Sequence, residues 1–567
     1  MQAIDGLRRR SWLRHTMAAI AFVGLLGACG GDDGGNSSAT SAAATTAAAA
    51  ETTAPSGAAT TTSGEAATPT TAEPASSTTA AGETPTQGGD VTVLVFNEIA
   101  GLDPVSGTGA AGADGQRLFA LYGALVTYDA ESAKTEPLLA ESLVPGADLA
   151  SWTLTLHDGL TFSDGTPLDA TAVKTNWERA KDPANRSQAI ALANTITALD
   201  VVDPQTLQIT LAAPNAHFDN AVARQILNYI ASPAAITAGT LANAPVGAGP
   251  FVLTSWQRDD SMELAPNPDW KGSDGPYVDS LTFRVVGDET QRLNTFVTGD
   301  ADLFFTAAPA SVQQAEDAGA GGYAHVSVSG GGTIIFNTAK APFDDVRVRR
   351  AIAIGVDPAL AVESVRPGAE VATNPMSENS AWYSADDDYP AYDPEEAQRL
   401  IDEYRNDTGG DLTFTIGAFT TTENVALAEF LQTALDQYEG VKVEVDTADP
   451  PTATARVLSR DYQAHLWGFP VLDPDPGLYN ALHSGLPTNV TGYSNPEVDK
   501  LLDQARLTSS NDERKPLYDQ ALALYVQDMP FWHTLHPTFG YVYSDRMGGV
   551  EVYEDGILRS DLMYVAG

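Results

Sequence analysis

GAGPFVLTSW (247–256) and APNPDWKGSDGPYVDSLTFRVVGDETQRLNTFVTGDADL (265–303) carry the signals from which the fold is read. Gly247, Gly249 and Pro250 punctuate a turn. Phe251 to Trp256 is rich in aromatic and β-branched residues and predicts a strand. Asn267-Pro-Asp-Trp270 is a turn with an indole to bury. Leu281, Phe283 and Val285 alternate with Thr282 and Arg284, the pattern of a strand with one apolar face. Asp288 can accept the free N–H groups that open the next helix. Leu293, Phe296 and Val297 fall on one face of that helix, and Gly299 supplies its stop.

Working outward, VTVLVF (91–96) opens the folded part as a strand. In 140–183, Trp152, Leu154 and Leu156 alternate, and Asp158-Gly159 reads as a two-residue hairpin turn with Leu160 and Phe162 returning. Asp169 caps a helix with Val173 and Trp177 on one face. In 333–365, Asp344 or Asp345 caps a helix burying Val348 and Ile352; Arg347, Arg349 and Arg350 read as solvated or structural. Beyond lie strands at 412–418, 441–445 and 464–469, with a helix at 423–438 and others opening at Asp393, Asn495 and Asn511. Alternation of this kind implies a mostly parallel sheet covered by helices.

The order of these blocks resembles one family. G-x-G-P-[FY], N-P-x-W, D-E-x-x-R-L and G-D-x-D-L in 247–303, the S-D-G-x-P block at 163–167 and F-N-x-x-x-x-P-[FL]-x-D-x-R-V-R from Phe336 are similar to the extracellular solute-binding proteins of family 5. That family comprises the oligopeptide, dipeptide and nickel receptors of ABC transporters. The resemblance covers about 89–567.

Composition sets independent bounds. Acidic residues outnumber basic ones 74 to 31, a net charge of −43. Such a charge repels nucleic-acid phosphates and anionic lipid. The one cysteine, Cys29, excludes an internal disulfide. Residues 1–29 read as an export signal: four arginines, a short apolar run and LGAC (26–29), the lipobox in which Cys29 is lipidated. RRSWLR (9–14) also resembles a twin-arginine signal. Residues 30–88 contain no large apolar side chain and predict a disordered tether, with a reach of roughly 40 Å.

Catalytic and cofactor motifs are absent: no G-x-S-x-G, H-E-x-x-H or Walker loop occurs. Gly107-x-Gly109-x-x-Gly112 has the spelling of a dinucleotide loop, but Gly101, Asp103 and Pro104 separate it from its strand, so no cofactor is expected. His533-x-x-His536 is bracketed by prolines and reads as ordinary strand rather than metal ligand. A secreted hydrolase stays the alternative, because spacing cannot show whether scattered Ser, His and Asp meet.

The resemblance implies an α/β, two-lobed periplasmic-binding-protein-like fold of the large three-subdomain type, with a hinge between lobes. By matching, 89–127, 246–337 and 534–567 form lobe I, 128–245 an extra subdomain, and 338–533 lobe II. It implies a monomeric, non-enzymatic, membrane-anchored receptor on the extracytoplasmic side, with an ABC permease as partner. Ligand contacts would come from Glu98, Phe304, Phe305, Trp382, Trp467, Phe469 and Asp473. Aromatic rings would wall the cleft and a carboxylate would orient a cation; each aromatic could instead be core, and Asp473 could instead cap a turn or helix. Peptide-binding members carry W-x-x-D-x-x-[DE]-P, whose first acid pairs with the peptide ammonium. Here that position is Pro470, which puts a free-amine peptide in doubt and leaves sugars, nickel chelates and other organic solutes open.

Overall fold

The computed structural model describes residues 84–106 and 114–566. The export signal, Cys29, most of the tether and the Gly107–Gly112 loop lie outside the described residues.

Three larger sheets organise the chain. The first has seven strands in the order Gly322–Ser327, Thr538–Tyr543, Leu303–Thr306, Asp90–Val95, Ser280–Val285, Ser261–Pro266, Phe251–Gln257. Asp90–Val95 is parallel to both of its neighbours, and the outer pairings are antiparallel. Leu281 and Phe283 are buried while Thr282 and Arg284 are not, so the alternation is realised. Asp288 accepts from Gln291 N and opens the helix Glu289–Val297. Leu293 and Phe296 are buried against this sheet, but Val297 faces solvent. Val297 is the last residue of the helix, which Thr298 caps, and Gly299 follows at φ +82°.

The second sheet has five strands: Val441–Ala448, Leu412–Phe419, Ala464–Trp467, Thr333–Phe336, Phe531–Trp532. It is mixed rather than mostly parallel, since Thr333–Phe336 runs against both neighbours. The chain reaches that strand directly from the first sheet, without the crossover helix that joins parallel neighbours. The helix Val346–Gly355 covers it, capped by Asp345, with Val348 and Ile352 buried. Arg349 is also buried and donates to the carbonyls of Phe343 (2.7 Å) and Asp528 (2.8 Å); Arg347 pairs with Asp345 and Asp407. These arginines are structural.

The third sheet, Ala140–Pro145, Ser151–Leu156, Thr206–Leu211, Ile196–Val201, belongs to the inserted segment. The hairpin expected at Asp158-Gly159 does not form. Both edges of Ser151–Leu156 are taken by other strands, Ala140–Pro145 and Thr206–Leu211, leaving Leu160 and Phe162 to a local loop closed by the Thr161–Pro167 bridge. Asp169 caps the helix Ala170–Ala180, which buries Val173 and Trp177; the indole also donates to Leu227 O at 2.8 Å. Fully burying an apolar side chain such as Val173 contributes roughly 1.5–3 kcal/mol, which holds this layer to the sheet.

Candidate functional site: the edge where the chain crosses between sheets

Two segments connect the first sheet to the second. Ser327 pairs with Thr538 in the first sheet, and Ile334 with Trp532 in the second. Between them, Val328 N donates to Pro537 O and Gly331 N to Leu535 O, both at 2.9 Å. The two crossings therefore run side by side as a hydrogen-bonded ribbon. Gly330, at φ +91°, is required there: a Cβ would lie 2.2 Å from Phe469 O. His536 braces the ribbon, accepting from Gly330 N at Nδ1 (3.1 Å) while Nε2 meets Asn374 O (3.0 Å). Nε2 thus carries the proton of a neutral ring. Burial pushes His536 down to about 4 and His533 well below the usual histidine range. His533 bonds Thr333 Oγ1 at 2.7 Å, so the pair is occupied in bracing.

Register shows what this ribbon brings together. Gly322–Ser327 and Leu303–Thr306 both pair antiparallel to Thr538–Tyr543, so they run the same way as Asp90–Val95. The chain leaves the first sheet at its carboxyl edge, where Asp90–Val95 ends in Phe96. It enters the second at Thr333, which pairs with Trp467 at the end of Ala464–Trp467; Phe419 ends the neighbouring parallel strand. Both carboxyl edges meet at the crossing. In open α/β sheets that is the edge at which ligands bind.

The edges present aromatic rings. Phe96 is 38 % exposed and lies 5.3 Å from Phe305, which sits against Phe539 and Tyr541. Across the ribbon, half-buried Phe419 and Trp467 stack at 5.7 Å, and Phe469 packs on Phe531 at 4.8 Å. Below Phe96, buried Arg117 donates to Asn97 O (2.9 Å) and Asp114 Oδ1 (2.9 Å), fixing the backbone as it leaves the strand.

Of the expected contacts, Phe305, Trp467 and Phe469 lie at this edge. Four others are placed differently. Phe304 points to the opposite face of its strand, as alternation demands, and is fully buried 5.1 Å from Phe296. Glu98 has both oxygens engaged within the first lobe, accepting from Trp256 Nε1 (3.1 Å) and Asp259 N (2.9 Å). Asp473 is fully buried: Arg514 grips both of its oxygens, at 2.6 and 3.2 Å, and it caps the helix Pro474–Leu482 through Asp475 N. Burial works against the charge on Arg514, but Asp473 outweighs it and holds Arg514 above the ordinary arginine range. Trp382 is buried beside this pair, 4.6 Å from the Arg514 guanidinium. Both belong to a seam between the stretches 128–245 and 338–533, where Tyr128 Oη donates to Asp473 at 3.3 Å and Ala216 N to Arg506 O at 2.9 Å. Phe96, Phe419 and Phe539 were missed; Phe96 and Phe419 are legible as aromatics ending apolar strands.

Residues 134–489 match the model of the bacterial extracellular solute-binding proteins, family 5. The chain belongs to this family. It is a substrate-binding protein of the ABC-transporter kind, working outside the cytoplasm, and its fold is the two-lobed periplasmic-binding-protein fold. The glutathione-binding protein of Escherichia coli O1:K1 is 30 % identical over 483 residues, covering 82 % of this chain and 92 % of its own. Among solved structures, the oligopeptide-binding protein of Bacillus subtilis in complex with a nonapeptide aligns at TM-score 0.70 with 21 % identity, over 85 % of this chain and 100 % of that one. A periplasmic binding protein from Agrobacterium tumefaciens in complex with agropinic acid aligns at 0.71 with 22 % identity, over 84 % and 99 %. No helix among the described residues is long and apolar enough to cross a membrane.

Proposed function

We propose that this family member captures a peptide or other small organic solute between its lobes and hands it, unaltered, to a membrane permease. The observation that carries this reading is the hydrogen-bonded ribbon that brings two aromatic carboxyl edges together. Rings at Phe96, Phe419 and Trp467 favour a ligand with apolar or planar groups. Pro470 stands where an ammonium-pairing acid would be, and Asp473 is spent on Arg514, so neither orients a ligand cation. Glutathione, the ligand named for the relatives, is the first solute to try. We further propose that the receptor acts as a monomer anchored through lipidated Cys29, which LGAC supports.

The test is native mass spectrometry of the full-length chain with Cys29→Ala, followed by calorimetric titration with glutathione. A bound solute at one per chain, recovered chemically unchanged, is expected. Turnover of that solute would return the chain to the hydrolases. Retention of the Cys29→Ala protein in the membrane fraction would remove the lipid anchor from the reading.

A further inference from the structure

A cavity of about 620 Å³ lies on the seam between the inserted subdomain and lobe II, lined by none of the aromatic edge residues. Its size falls within the range of small-molecule sites. One wall is Ala191, Leu192, Ala213 and Pro214 of the subdomain; the facing wall is Pro476 and Leu507 of lobe II.

The charges that reach this cavity are already paired. Arg506 gives Nε and Nη2 to the two oxygens of Asp475, at 2.7 and 2.6 Å, and its guanidinium lies 3.1 Å over the Tyr479 ring. Asp503 accepts from Tyr479 Oη at 3.0 Å and lies 3.3 Å from His483 Nε2. Among the polar groups of the lining, Arg506 Nη1 and the side-chain amides of Asn480 and Gln225 make no side-chain hydrogen bond among the described residues.

We infer that this cavity is a second binding site, separate from the interlobe edge, for a small uncharged molecule with an apolar body and a carbonyl or hydroxyl group. The apolar walls take the body. Arg506 Nη1 and the two amides supply donors for the oxygen. An anion would meet only Arg506, whose charge Asp475 already balances, and a cation only Asp503, which Tyr479 and His483 already engage, so a charged ligand gains little counter-charge for the hydration it loses. One wall comes from the inserted subdomain and the other from lobe II, so an occupant that touches both favours the assembled seam.

The probe is prodan, an uncharged naphthyl ketone, titrated into the full-length chain and read by the blue shift of its emission. One equivalent is expected to bind. Ala191→Trp and Ala213→Trp replace small, exposed side chains and should fill the cavity without loss of fold, checked by circular dichroism; each is expected to weaken prodan at least tenfold. Trp467→Ala, at the interlobe edge, is expected to change prodan affinity less than twofold, which separates this site from the solute cleft. The sulfonated dye 2-anilinonaphthalene-6-sulfonate is expected to bind at least tenfold more weakly. No binding by the unaltered chain, or binding untouched by both tryptophan fillers, or binding lost in Trp467→Ala, overturns the site. Equal binding of the sulfonate overturns its preference for uncharged molecules.

Discussion

At the interlobe edge, Phe419 and Trp467 stack half-buried; at the seam, Asp473 and Arg514 are fully buried and ion-paired. Both places join distant parts of the chain, yet they are finished in opposite ways. The edge leaves apolar surface uncovered, which gains nothing until a ligand covers it. The seam has its charges matched, which costs desolvation in advance and is recovered only through the pairing. A receptor needs the first kind of surface for its solute and the second kind where it must hold its own parts in place. An acid beside Trp467 in the sequence therefore belongs to the architecture, not to the ligand.

The comparison breaks most readily at the ion pair. Arg514→Met leaves Asp473 buried and unpaired and is expected to cost roughly 3–5 kcal/mol, read by urea denaturation. The double change Arg514→Met with Asp473→Leu should recover most of that. If Asp473→Asn instead weakens solute binding with little loss of stability, the seam is part of the binding site and the contrast fails.

Acid tests the ribbon that supports the edge. His536 titrates at about 4 when folded and near 6.5 unfolded. Its folded pKa is depressed, so its contribution is fully present above about pH 6.5 and is lost progressively as pH falls toward 4. The linkage amounts to about 3 kcal/mol. A proton on Nδ1 would oppose the Gly330 N–H, which needs an acceptor there. Urea midpoints measured from pH 7 to pH 4 should fall more steeply in the unaltered chain than in His536→Gln. Parallel slopes would show that the ring bears no such load.

The smallest effect is expected at the aromatic edge. Trp467→Ala should weaken the co-purified solute about tenfold, or ~1.4 kcal/mol, while the melting temperature moves by a degree or two. A large fall in stability with affinity intact would class Trp467 with Trp382, as core.

Much of the local structure was legible. Asp169, Asp288, Asp345 and Asp393 cap the helices that their positions predict. The strands at 91–96, 251–256 and 281–285 follow from alternation and composition, within a residue or two. The reading failed at Asp158-Gly159, where a sound turn signal lost to strands that pair over a longer range. It failed again at Phe304 and Trp382, where an aromatic near a motif proved to be core.

By itself the sequence determined the family, through the order of its turns and caps, and the local elements, because a cap or an alternation acts within four residues. Only the tertiary structure decided which side chains are free. Asp473 meets Arg514 across 41 residues and Tyr128 across 345, and Trp467 reaches the interlobe edge because Thr333 pairs with it after crossing from the other sheet. Whether a charge is open to a ligand depends on which partners the fold brings to it, and no spacing along the chain records that.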